Sequence, residues 1–200
     1  LTKVQDQFAI GSEDLLQGLD HIVPESPPAV AQPTDDDQAR GYQVFAHESY
    51  LDHIYREVPP AEGEVIERLQ MFATPGEREP STFALHALES LRDIQVTAGA
   101  LSGPATIPAD AIEVHKIYTW PQKTKMNPRD AWKVMPELLY EPGRSAETWL
   151  ASGHNQQWWL TVRVPEDAPA GDYTGSVTID TADGGDYELP VELTVYPFSL

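Results

Sequence analysis

Between Asn155 and Phe198 three runs of residues alternate apolar and polar side chains with a period of two. Trp158, Leu160, Val162 and Val164 alternate with Trp159, Thr161 and Arg163 in the first run. Tyr173, Val177 and Ile179 alternate with Thr174, Ser176, Thr178 and Asp180 in the second. The third sets Tyr187, Leu189, Val191, Leu193 and Val195 against Glu188, Glu192 and Thr194. Successive side chains of a strand point to opposite faces, so this period predicts three half-buried strands of an antiparallel sheet. Asp183-Gly184-Gly185-Asp186, between the last two runs, supplies residues that accept positive φ, as a tight hairpin turn requires. Tyr173, just after Ala170-Gly171-Asp172, has the setting of a tyrosine corner, whose hydroxyl bonds back to the chain upstream.

The same pattern runs through much of the chain. Tyr42, Val44 and Ala46 alternate with Gln43 and Phe45, predicting a short strand, and Pro59-Pro60 closes that segment. Further strands are predicted over 65–73, 81–88, 93–100, 112–120, 134–140 and 148–150, with a turn at Pro75-Gly76. Asn127-Pro128 is expected to open a single helical turn through Trp132. The total from residue 64 onward is about eight or nine strands, at roughly the spacing of a sandwich. Upstream, Ser12 followed by Glu13 and Asp14 predicts the N-cap of a helix over 12–22. The stretch from Pro24 to Asp37 is Pro-rich, then acidic, with almost nothing to bury, and reads as a linker. The expected fold is therefore all-β: an antiparallel Ig-like or jelly-roll-type β-sandwich over residues 41–200, preceded by a helical arm and Pro/Asp-rich linker over 1–40.

Composition narrows the function classes. The formal net charge is −19, from 32 acidic and 13 basic residues. Such a surface repels a phosphate backbone and an anionic membrane, so neither nucleic acid nor membrane is an expected partner. Without a single Cys there is no disulfide, thiol nucleophile or thiolate metal site. The 18 prolines favour a loop-rich β protein over a helical one. The chain opens on Leu1 rather than Met, which we read as a processed product or an excised domain.

Three spaced motifs carry a family resemblance. Ala73-Thr-Pro-Gly-Glu-Arg-Glu-Pro-Ser-Thr-Phe83 is the first. Trp159-Leu-Thr-Val-Arg-Val-Pro165, followed by Ala168-Pro-Ala-Gly171, Tyr173 and Gly175, is the second, and Leu193-Thr-Val-Tyr-Pro-Phe198 the third. Over roughly residues 41–200 the chain resembles the start of large bacterial proteins similar to glycoside hydrolase family 123 and its uncharacterised relatives. The resemblance implies an N-terminal β-sandwich ahead of a (β/α)8 barrel that holds the catalytic carboxylates. Leu200 falls about where the first barrel strand is expected, so no catalytic residue of the family is carried over.

The residues themselves point to no enzyme. Glu77 and Glu79 flank Arg78 after a turn, but two carboxylates without a pocket read as a charged strand edge rather than an acid–base pair. The six histidines (21, 47, 53, 86, 115 and 154) form no HExxH, and neither a GxSxG elbow, a P-loop nor GxGxxG occurs. Asp180, Asp183 and Asp186 crowd one hairpin, where turn chemistry explains them better than Ca²⁺ does. No cofactor and no metal site is expected. Trp158 and Trp159 read as packing residues. Trp120, Trp132, Trp149 and Tyr140 lie in or beside an apparently irregular stretch from 120 to 148 and are the candidate carbohydrate-contacting residues, because flat aromatic rings stack on the C–H faces of sugars. The expected role is a non-catalytic accessory module of a secreted or periplasmic glycoside-hydrolase-like protein, buttressing an adjacent catalytic domain and contacting a polysaccharide or oligosaccharide. A free-standing carbohydrate-binding module and an Ig-like structural or protein-binding domain are the alternatives. The buttress predicts an exposed apolar patch near Phe198 and Leu200.

Overall fold

Two β-sheets pack face to face in a computed structural model that describes residues 26–123, 132–140 and 149–198. The five-stranded sheet has the order β1-β3-β9-β7-β8, from β1 (Tyr42–Phe45), β3 (Arg78–Ala87), β7 (Ile112–Lys123), β8 (Trp132–Tyr140) and β9 (Asn155–Arg163). The six-stranded sheet has the order β2-β11-β10-β5-β6, with β4 also paired to β10. Its members are β2 (Leu69–Ala73), β4 (Gln95–Ala98), β5 (Leu101–Ser102), β6 (Thr106–Ile107), β10 (Gly171–Thr181) and β11 (Gly185–Val195). This is the all-β sandwich that the alternation predicts. One pairing departs from the antiparallel pattern, since β2 runs parallel to β11 from Leu69↔Val191 to Ala73↔Val195.

The three C-terminal runs form β9, β10 and β11, and their apolar faces make the core. Phe83, Leu85, Trp158, Leu160 and Val162 of one sheet meet Tyr173, Val177, Ile179, Leu189, Val191 and Leu193 of the other in one buried cluster. Trp158 stacks on its cross-strand partner Phe83, ring centroids 5.8 Å apart, while its neighbour Trp159 faces outward and meets Tyr50 edge-on at 5.7 Å. The strand alternation thus splits the Trp pair between two packing surfaces.

The β10–β11 hairpin pairs without interruption from Gly171↔Val195 to Thr181↔Gly185. Its loop differs in detail from the expectation of positive φ, because Gly184 does not lie in the left-handed region. It is Gly for space: a Cβ there would stand 2.2 Å from the carbonyl oxygen of Arg40. At the opposite end, the fully buried Tyr173 donates its hydroxyl to the carbonyl of Pro169 at 2.8 Å, as a tyrosine corner should. Gly175 lets β5 approach, since a Cβ would fall 2.6 Å from the Ala100 carbonyl.

Three local expectations are corrected. Residues 30–40 are not a linker: Val30 bridges to Ala61, and Asp35–Arg40 form a short helix, α1. Thr34 caps it by accepting from the Asp37 amide at 3.1 Å, while the buried Asp37 carboxylate accepts from the Thr34 amide at 2.8 Å and pairs with Arg40. Arg40 then lies 4.4 Å from the Tyr187 ring centroid, which ties the helix to the hairpin. The predicted strand over 65–73 is two pieces, because Glu64 and Ile66 bond to β1 and the residue after it (Ala46 N to Glu64 O and Ile66 N to Val44 O, both 3.0 Å) before the chain crosses to the other sheet as β2. Trp132 opens the edge strand β8 rather than closing a helical turn. An edge tolerates Pro136, and Glu137 bulges where the register shifts beyond Tyr118↔Leu138. The predicted helix over 12–22 lies outside the described residues.

Tyr173→Phe removes a buried hydroxyl and leaves the Pro169 carbonyl without its donor, so it should cost about 1–2 kcal/mol. A lowered urea midpoint with an unchanged slope would show it. An unchanged midpoint would mean the corner does not hold the hairpin.

Candidate functional site

Where it is described, the stretch expected to be irregular consists of antiparallel strand, the end of β7 paired with β8. Trp120 pairs with Met135, Lys123 with Trp132, and Lys116 with Tyr140 across β7 and β8. Trp120 is about half exposed on β7. Trp132 and Tyr140 belong to β8, and their side chains lie outside the description. Trp149 is exposed on a separate element, just before Leu150, which bridges to Leu91 through paired backbone bonds of 2.8 and 2.9 Å.

A second set of aromatic residues stands out at the β2–β11 side of the sandwich. Phe72, Tyr196 and Phe198 form a continuous row, with centroids 6.1 Å apart in the first pair and 5.8 Å in the second, each pair within 14° of parallel. All three are exposed, at 54%, 39% and 55%. β2 creates the row because its burial alternates: Leu69, Met71 and Ala73 face the core while Gln70 and Phe72 face out. Tyr196 and Phe198 continue the alternation of β11 beyond its last buried residue, Val195. Phe198 sits where an exposed apolar patch was expected, and Leu200 lies outside the described residues. The spacing of 196 and 198 is visible in the sequence, but Phe72 joins them only through the parallel pairing.

Beside this row runs a groove of about 430 Å³ between β2, the N-terminal half of β3 and the segment after β1. Its walls include Glu48, Tyr50, Gln70, Phe72, Glu79 and Ser81. Glu79 therefore does line a groove, and burial, with Glu77 adding to it, raises its carboxyl above the usual range. Glu77 has other work: its carboxylate accepts from the Thr74 amide at 2.8 Å and the Thr74 hydroxyl at 3.1 Å, closing the Pro75-Gly76 turn. The acidic hairpin is likewise divided. Asp183 pairs with Arg92 at 2.6 Å, whereas Asp180 and Asp186 face each other across the ladder and a shared hydrogen bond raises the Asp186 carboxyl. Among the described residues no group of three or more His, Asp or Glu side chains is placed to hold a metal ion.

One histidine is structural in a way the sequence does not reveal. His86 Nδ1 bonds to Asn155 Oδ1 at 2.7 Å, and Asn155 Nδ2 donates to the carbonyls of Tyr55 (2.7 Å) and Val58 (2.5 Å). The pair thereby fastens the segment after β1 to the outer face of β3 and β9. Burial holds the imidazole below its ordinary value.

The family model of the glycoside hydrolase 123 N-terminal domain matches residues 51–181. The chain belongs to that family. Among solved structures it is similar to a family 123 glycoside hydrolase from Clostridium perfringens, which hydrolyses a glycolipid glycan, with a TM-score of 0.60 and 13% identity. That match covers 79% of this chain but 27% of the enzyme, and at this identity it establishes the fold. A PapD-like domain of human CEP192 aligns at a TM-score of 0.37 and 10% identity, over 88% of this chain and all of that one (100%). Spo0M, a sporulation control protein from Bacillus subtilis, aligns at 0.35 and 12%, over 79% of this chain and 50% of that one. No curated protein matches the chain.

His86 generates a pH prediction. A buried imidazole with a lowered value binds fewer protons folded than unfolded, so its contribution is intact above the unfolded value of 6.5 and is lost as pH falls below it. His86→Gln should flatten the stability-versus-pH curve on the acid side of that value, measured as urea midpoints across pH. A slope identical to wild type would show that His86 is not the group responsible.

Proposed function

We propose that this sandwich is a non-catalytic accessory module of a secreted or periplasmic bacterial glycoside hydrolase, and that it buttresses the catalytic barrel. The observation that carries this reading is the row of Phe72, Tyr196 and Phe198. Three neighbouring, nearly parallel, exposed rings are costly to leave in water, since burying each returns roughly 1.5–3 kcal/mol. They cluster where β2 and β11 leave the sandwich, on an otherwise acidic molecule. Membership of the N-terminal domain family supports the choice of occupant, a catalytic domain in the same polypeptide. The chemistry is then left to that domain, and the sandwich contributes a rigid apolar seat.

The test is to express the sandwich and the remainder of its parent polypeptide separately and measure their association. Wild type should form a stable complex. Phe72→Ser and Phe198→Ser should each weaken it about tenfold or more, as expected for aromatic anchors at the centre of an interface. A parent polypeptide with no domain beyond the sandwich, or a complex indifferent to both substitutions, would contradict the proposal. Hydrolysis of a chromogenic glycoside by the sandwich alone would contradict its non-catalytic role.

A further inference from the structure

The groove beside the aromatic row has features that buttressing does not use. We propose that it is a binding site for a short neutral oligosaccharide, stacked on Tyr50 and hydrogen-bonded by Gln70, Glu79 and Ser81. The volume of about 430 Å³ suits a ligand of two or three sugar rings rather than an ion or a single metabolite. Sugars need two things from a protein, an apolar ring for their C–H faces and fixed polar groups for their hydroxyls, and this groove has both.

Tyr50 and Phe72 both line the groove and both are substantially exposed. Tyr50 is held in place by its edge-on contact with Trp159 at 5.7 Å, so its ring is oriented before any ligand arrives. Phe72 is held from the other side by Tyr196. The polar groups are also fixed. Gln70 Nε2 donates to Glu192 at 3.2 Å, which orients the amide and leaves its oxygen to accept. Glu79 stands on β3 opposite Val162 of β9, within a backbone ladder that holds its position. Its partial burial disfavours the bare carboxylate, a cost that two hydroxyl donors from a vicinal diol would relieve.

The main chain adds to this. Tyr196 N donates to Ala73 O at 2.9 Å, so the odd-numbered residues of β2 turn their backbone groups to β11. Gln70 and Phe72 therefore present their N–H and C=O groups toward the opposite, groove side. Two such positions are too few to register an added peptide strand of ordinary length, about five residues, but they suit hydroxyls.

Charge selects the sugar. Glu48 and Glu79 line the groove, and its two basic side chains already face carboxylates, Arg68 at 3.0 Å from Glu192 and His47 at 3.6 Å from Glu64. Uronic and sialic acids would meet the carboxylates of Glu48 and Glu79, so the ligand is neutral.

Isothermal titration calorimetry of the whole chain with cellotriose, triacetylchitotriose and trigalacturonate tests this, with an alternating Lys-Val octapeptide as a strand-forming control. At least one neutral trisaccharide should bind saturably and trigalacturonate should not. Tyr50→Ala and Glu79→Gln should each weaken binding about tenfold, and Trp149→Ser, exposed on a separate element away from the groove, should leave it unchanged. Should Tyr50→Ala disturb folding, the milder Glu79→Gln still decides the matter. No neutral sugar bound, preference for the acidic trimer or the peptide, or affinity indifferent to Tyr50 and Glu79 would each overturn the proposal. Because Tyr50 and Glu79 lie outside the aromatic row, failure here leaves the buttress role to its own test.

Discussion

The fold rests on two apolar faces that can escape water only against each other. Trp158, Leu160 and Val162 of β9 make one face of their sheet apolar, as Tyr173, Val177 and Ile179 of β10 and Leu189 and Leu193 of β11 do in the other; they form one buried cluster together. Once those faces meet, the strand period forces every intervening residue outward, which is why Trp159, Phe72 and Glu188 are available for other contacts. The long β10–β11 hairpin is clamped at both ends, by Tyr173 on Pro169 and by α1 against Gly184. The Arg92–Asp183 pair and the bond from Ala182 N to Arg92 O (3.0 Å) add a second hold on the hairpin loop.

Strands with one wet and one dry face were legible in the sequence, and β9, β10 and β11 fall where the alternation puts them. A strand covered on both sides was legible as well, since β1 falls within the alternation from Tyr42 to Ala46. All four residues of β1 are buried, because Tyr42 and Val44 face the sandwich core while Phe45 packs with Ile54 and Ala84 beneath the segment after it. The stretch from Pro24 to Asp37 looked to have almost nothing to bury, yet Thr34-x-x-Asp37 is a capping signature whose two groups satisfy each other, so Asp37 can be buried at low cost. Trp132 was misplaced because Asn127-Pro128 resembles a helix start and Pro136 discourages a strand, a rule that relaxes at a sheet edge.

The candidate site was less legible than the fold. Single aromatic residues are visible in a sequence, but which of them share a surface depends on pairings far apart in the chain. Phe72 meets Tyr196 through the parallel β2–β11 register, and Tyr50 faces the same groove as Glu79 only because the chain leaves β1 early. Trp120 and Trp149, two of the four rings that the residues alone nominate, stand on different elements. The core is scaffold, and the groove and the exposed row of rings lie along the side of the sandwich where β2 and β3 approach without pairing.

The central claim is that the β2–β11 side is covered by a catalytic domain in the parent polypeptide. Hydrogen exchange over residues 69–74 and 195–198, compared between the isolated sandwich and the longer polypeptide, addresses it most directly. The account predicts strong added protection of both segments in the longer form, with the loops on the α1 side unchanged. Equal exchange in the two forms would contradict it and leave the aromatic row without a partner.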